Sequence, residues 1–124
     1  MAEAPASSPL SPALEVLFGR VRAAVLKLEA APENQAALRT IGLVIGHMLD
    51  LLEEDEAILE AADRLYEAAF ALQDTRDKQS RSARVTEQAV ASRAEALHRA
   101  LARFRESLCS AKPNARGRAR RLAW

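Results

Sequence analysis

The side chains of this 124-residue chain that could carry acid–base or metal chemistry are few, and they form no complete catalytic pattern. The chain has two histidines, the residue type most used for proton transfer near neutral pH. Glu95 and His98 have the Glu-x-x-His spacing of di-iron bundles, which require a second such pair. Val44 stands where His47 would need a glutamate. We therefore predict no metal site, no cofactor and no enzymatic activity.

The cysteine and glycine positions point the same way. Cys109 is the only cysteine, which excludes an intrachain disulfide and a multi-cysteine zinc site. We interpret it as a small residue that closes a helix. The four glycines, at positions 19, 42, 46 and 117, form no phosphate-binding loop. These absences favour a protein that acts by binding.

The composition predicts an all-helical protein. The chain has 27 Ala but only 4 Gly and 5 Pro, and aromatic residues make up 4% of it. Its longest apolar stretch, Ile41–Leu52, covers 12 residues and includes a histidine and an aspartate, whereas a membrane span needs about 20. The first residues lack the pattern of a secretory signal. We expect a cytoplasmic protein with no membrane contact and a flexible leader over residues 1–10.

The first helix is predicted over about residues 12–30. Ser11 is a favourable N-cap, and Pro12 fits the first helical position. Apolar residues then recur at steps of three and four and share one helical face. They are Leu14, Phe18, Val21, Val25 and Leu28.

A second, much longer helix is predicted over about residues 33–77. Apolar residues seven apart form one coiled-coil-like seam: Val44, Leu51, Ile58, Leu65 and Leu72. No Gly or Pro interrupts the acidic stretch Glu53–Glu56, so we expect one continuous helix of about 65 Å. The alternative breaks the helix at Glu53–Asp55 and gives a single-chain four-helix up-down bundle.

A third helix is predicted over about residues 82–109. Ten polar residues precede it, Gln73–Ser82, and predict a turn capped by Asp77 or Ser80. The third helix would then fold back on the second as a hairpin. The alternative is a stutter within one continuous rod.

Two short helices cannot cover a long, widely apolar one, so we predict a homodimer in which two long helices pair antiparallel. Gly42 and Gly46 would allow close approach of the helices. The predicted interface comprises Ile41, Gly42, Val44, Ile45, Met48, Leu52, Leu59 and Tyr66.

The formal net charge of +1 hides a strong asymmetry along the chain. Residues 50–77 hold ten acidic and two basic side chains, a net −8, and residues 78–109 hold three acidic and seven basic ones, a net +4. We expect these two segments to form salt bridges with each other. Residues 111–124 are predicted to be a basic disordered tail.

The leading functional hypothesis is a non-enzymatic helical adaptor or regulator. Its dimeric body would bind a protein partner in grooves beside the long helix or at the acidic patch Asp50–Glu60. The alternative is a dimeric nucleic-acid-binding protein that uses the basic third helix and the tail. The contacts would be Arg99, Arg103, Arg105, Lys112, Arg116, Arg118, Arg120, Arg121 and Trp124. The Arg-x-Arg-x-Arg spacing over residues 116–120 also resembles the basic C-terminal signals of bacterial type IV secretion substrates.

Overall fold

A computed structural model describes residues 10–31, 35–82 and 84–113. These ranges form four α-helices: α1 Pro12–Ala30, α2 Gln35–Asp50, α3 Glu56–Arg81 and α4 Glu87–Cys109. They contain no β-strand, and a single isolated bridge pairs Leu52 with Pro113. The all-helical prediction is confirmed.

α1 begins where its sequence predicts. The side chain of Ser11 accepts a hydrogen bond of 3.3 Å from the backbone N–H of Leu14, and Pro12 occupies the first turn. All five residues of the predicted apolar stripe are buried. Leu10 is buried as well, so the packed chain begins earlier than the predicted leader allows. The remainder of that leader, residues 1–9, lies outside the described residues.

The prediction of one helix over residues 33–77 is wrong, because the chain turns between α2 and α3. At the end of α2, the N–H groups of Leu51 and Leu52 bond to carbonyls three residues earlier, at 3.1 and 3.2 Å. Such tightened bonds satisfy carbonyls that a helix leaves free at its end. The helix breaks near Glu53–Asp55, where the alternative prediction placed the break.

α3 starts at a defined N-cap. The Oδ1 atom of Asp55 accepts a hydrogen bond of 2.8 Å from the backbone N–H of Ala57. Glu56 occupies the first turn, and two further glutamates precede the cap. Negative charge is favourable there because the N-terminal end of a helix carries a partial positive charge. The acidic run therefore starts a new helix.

The turn is tied to the end of α4. The N–H of Glu53 donates a 2.7 Å hydrogen bond to the carbonyl oxygen of Lys112, next to the bridge between Leu52 and Pro113. Ala111 packs against the core. Residues 111–113 therefore belong to the folded body, and the predicted tail boundary at 111 is too early. Residues 114–124 lie outside the described residues.

Consecutive helices run antiparallel. The beginning of α1, the end of α2 and the end of α4 meet at one end of the molecule, where the beginning of α3 also packs against α4. Packing is most extensive within the α1–α2 and α3–α4 hairpins, and α2 and α3 meet over a smaller area. In the described part of the chain, α4 thus folds back on α3.

The cap predicted for that hairpin is wrong. Asp77 and Ser80 lie inside α3, and Thr86 caps α4 by accepting a 3.1 Å hydrogen bond from the N–H of Ala89. The side chain of Gln79 donates a 2.8 Å hydrogen bond to Glu87 across the turn. The polar residues Gln73–Ser82 indicated a turn, but their polarity could not show that α3 continues through them to Arg81.

One chain fills its own core, which removes the reason given for a dimer. Five residues of the predicted dimer interface are at most 7% exposed within the single chain: Ile41, Val44, Ile45, Met48 and Leu52. They belong to one hydrophobic core that all four helices share. Of the other three, Gly42 and Leu59 are half-buried and Tyr66 is exposed.

α1 and α4 are joined by a charged and aromatic contact. Arg105 donates hydrogen bonds of 3.2 and 3.4 Å to the carboxylate of Glu15, which raises the pKa of Arg105 above its ordinary value. The guanidinium groups of Arg105 and Arg22 lie 5.3 and 5.8 Å from the ring centroid of Phe18. Among the described residues, two ion pairs join the acidic segment to the basic one, Lys78–Asp74 at 3.1 Å and Arg81–Asp77 at 2.9 Å. Both lie within α3 and not across the α3–α4 hairpin.

Replacing Asp55 with Ala should lower the free energy of unfolding by about 1 kcal/mol, because the first turn of α3 loses its side-chain cap. Urea denaturation followed by circular dichroism measures this. Glu54→Ala is the matched control, since it removes the same charge from the same turn without touching the cap. Equal losses in the two variants would show that charge, and not capping, sets the start of α3.

Candidate binding groove

A groove of about 600 Å³ runs along the surface between α2 and α3. We call it the α2–α3 groove. It lies where the two hairpins meet, which is the more loosely packed side of α2. Its lining residues are Gly42, Ile45, Gly46, Leu49, Ala62, Asp63, Tyr66 and Glu67.

Two glycines shape the floor of the groove in different ways. A Cβ atom at Gly42 would lie 3.1 Å from Cε1 of Tyr66, so the missing side chain lets that ring lie close to the backbone of α2. A Cβ atom at Gly46 would have no neighbour within 4 Å, so this position leaves the floor open. The close approach predicted for Gly42 therefore occurs between two helices of one chain.

Large apolar side chains flank this floor. Tyr66 is 39% exposed, and Phe70, one turn further along α3, is 53% exposed. Leu43, which shares the outer face of α2 with Gly46, is 62% exposed. Aromatic side chains exposed next to a concave floor are typical of protein–protein contact sites.

The rim of the groove is acidic. Asp63 and Glu67 border it, and a smaller cavity of about 220 Å³ continues it toward the α2–α3 turn. Leu49 lines both spaces. The smaller cavity is bordered by Asp50, Glu53, Glu54 and Asp55. Among the described residues, Glu53, Glu54, Asp63 and Glu67 have no ion-pair partner, so their charges give this surface a negative potential.

The four predicted nucleic-acid contacts that the structure describes do not form one free basic surface. Arg99 forms an ion pair of 3.1 Å with Glu95, and Arg105 is held by Glu15. Arg103 borders a cleft of about 770 Å³ between α3 and α4 that also holds acidic side chains. Lys112 is exposed. The other five, Arg116, Arg118, Arg120, Arg121 and Trp124, lie outside the described residues.

The histidines and the cysteine do not assemble a reactive site in the described part of the chain. The Nε2 atom of His98 lies 2.9 Å from Oε1 of Glu29, while Glu95 forms an ion pair with Arg99. Across residues 10–31, 35–82 and 84–113, no three His, Cys, Asp or Glu side chains come close enough to hold a metal ion. Cys109 is exposed as the last residue of α4. None of the described helices is long and apolar enough to cross a bilayer.

Sequence reasoning missed two residues of this surface, Leu43 and Phe70. Phe70 could have been found, because it lies four residues after Tyr66 and therefore shares its face of α3. Leu43 belongs to a stretch of α2 that is apolar on nearly every side. Periodicity alone could not show which of its faces remains uncovered.

The chain matches no known protein family, no curated protein and no solved structure. Function must therefore be inferred from the surface itself. Its apolar floor, aromatic wall and acidic rim provide groups for recognition.

Gly46→Ala should raise the free energy of unfolding by about 1 kcal/mol, because alanine favours the helix and its Cβ enters open space. Gly42→Ala gives the same gain in propensity but pushes against the ring of Tyr66, so its net gain should be smaller. Thermal or urea denaturation of both variants measures the difference. A larger gain for Gly42→Ala would contradict the close contact between Gly42 and Tyr66.

Proposed function

We propose that this protein is a non-enzymatic helical adaptor that binds a basic, amphipathic helix of a partner protein in the α2–α3 groove. One observation carries the proposal: Tyr66 is exposed at a glycine floor with an acidic rim, and Phe70 is exposed one turn further along α3. Helix-in-groove recognition uses such a surface, with apolar anchors of the bound helix at spacings of three and four residues.

The dimensions of the groove suit a short helical ligand. Gly42 and Leu49 are seven residues apart on α2, which corresponds to about 10 Å along the helix axis. That length accommodates about two turns of a bound helix. The open space at Gly46 allows one anchor side chain of the ligand to approach the backbone of α2. A leucine or aromatic anchor would bury apolar area there and against Tyr66.

The charge of the rim defines the kind of partner. Asp63 and Glu67 would lie beside the bound helix, so lysine or arginine at its flanking positions gains favourable interactions. A second copy of the chain is a poorer occupant, because an isologous contact sets this acidic rim against itself. Nucleic acid is disfavoured at this surface for the same reason, since its phosphates are negative.

A synthetic helix with a leucine stripe and Lys and Arg on its other positions should bind the groove. A peptide with the same stripe and Glu in place of Lys and Arg is its control. Two-dimensional NMR should show shifts in the amide signals of Gly42 and Gly46 with the basic peptide only. The amide of Gly19 on α1 serves as an internal reference. Equal binding of both peptides, or shifts spread evenly over the chain, would contradict the proposal.

Phe70→Ala should weaken binding of the basic peptide by about tenfold, because truncating an aromatic side chain at the end of the groove near Gly42 costs about one to two kcal/mol. Leu26→Ala is the matched control. Leu26 is 55% exposed, close to the 53% of Phe70, but lies on α1. Fluorescence anisotropy of the labelled peptide measures both affinities. If the two truncations have the same effect, the peptide does not use the aromatic wall.

A further inference from the structure

We infer that residues 114–124 of the chain itself occupy the α2–α3 groove when no partner is bound. This inference rests on the proposed function, because it assigns a regulator to the same site. Partner binding would then require displacement of the chain's own segment. The position of Pro113, the reach of the segment and its charge each support this assignment.

The described chain ends next to two residues that line the small acidic cavity, Leu52 and Glu53. Pro113 pairs with Leu52, and the carbonyl of Lys112 accepts the hydrogen bond from Glu53. Leu52 lines the small acidic cavity, and that cavity shares Leu49 with the α2–α3 groove. The lining residues Leu52, Glu53 and Leu49 thus connect Pro113 with the glycine floor.

The segment is long enough to cover this surface. Leu52 and Gly42 are ten residues apart along the chain, so most of the path follows α2 for about 15 Å at 1.5 Å per residue. Eleven residues span about 16 Å even as a helix and nearly 40 Å when extended. The end of the segment can therefore reach Gly46 in either form.

The order of side chains in the segment matches the order of groups along the surface. Four arginines and no acidic residue come first, at positions 116, 118, 120 and 121, and Leu122 and Trp124 follow. Leaving Pro113, the surface first presents Glu53 and Glu54 and then the apolar floor beside Tyr66. The arginines can pair with these carboxylates, and the tryptophan can pack on the apolar floor.

Trp124 is the only tryptophan, so its fluorescence reports the position of the segment in the unlabelled full chain. In the groove its emission should be blue-shifted and protected from acrylamide quenching. Gly46→Met fills the open floor and should shift the emission to that of exposed tryptophan. Gly19→Met is the matched control, because a Cβ at Gly19 also meets nothing within 4 Å but lies on α1. Solvent-exposed emission in the unmodified chain would overturn the inference.

Dilution tests whether the segment binds within its own chain. The emission should be independent of protein concentration, because an attached ligand binds intramolecularly. A blue shift lost on dilution would assign the segment to a second copy and overturn the inference. The double variant Arg118→Glu, Arg120→Glu should expose Trp124, because it sets like charges against the acidic cavity. An unchanged emission would exclude the proposed charge pairing.

Competition with the basic helical peptide separates this inference from the proposed function. Self-occupancy lowers the apparent affinity by the fraction of open groove, so Trp124→Ala in the full chain should bind the peptide at least about threefold more tightly. Equal affinities, with the peptide still mapped to Gly42 and Gly46, would overturn self-occupancy and leave the adaptor proposal intact. If the peptide fails to bind Trp124→Ala, the adaptor proposal itself is wrong, and the inference falls with it.

Discussion

The fold depends on one constraint: the five residues between α2 and α3 must reverse the chain without a glycine or proline. They do so because Asp55 caps α3 and because the N–H of Glu53 finds a partner in the carbonyl of Lys112. An unpaired backbone group in this turn would cost free energy comparable to a lost hydrogen bond. The end of α4 therefore stabilises a turn far from it in sequence, and the two hairpins are held together at that end.

The same constraint creates the candidate binding surface. Because α3 folds back beside α2, the apolar seam that a rod would expose is buried within one chain. The two hairpins meet less closely than the helices within each hairpin. Gly46 leaves open space in that junction, and Gly42 lets the ring of Tyr66 lie close to the backbone of α2. Phe70 is exposed one turn further along α3. The groove is thus a consequence of how the chain closes its core.

Periodicity predicted which residues are buried more reliably than it predicted the path of the chain. Ile58, Leu65 and Leu72 are all buried, as their seven-residue spacing indicates. The break was only the alternative prediction, because the spacing of apolar residues continues through the turn without a change of register. The sequence did contain a signal for the break, the N-cap residue Asp55. An aspartate followed by Glu56 and preceded by two glutamates is typical of the start of a helix.

The candidate site was only partly predictable for a related reason. Gly42 and Tyr66 were identified from the sequence, but as parts of an interface between two chains. Which apolar residues remain exposed depends on the packing of α2 against α3, and long-range packing leaves no mark in local spacing. Phe70 lies outside the seven-residue seam, so the seam gives no information about its exposure of 53%.

A distance measurement between α2 and α3 tests the central claim, that the chain folds back within a single molecule. Spin labels at Arg39 and Glu67, both exposed, can be placed in a Cys109→Ser background. Double electron–electron resonance, with labelled protein diluted in unlabelled protein, should give a distance below about 25 Å, since packed helices lie 8–10 Å apart. A distance near 42 Å, the length of 28 residues of unbroken helix, would contradict the account.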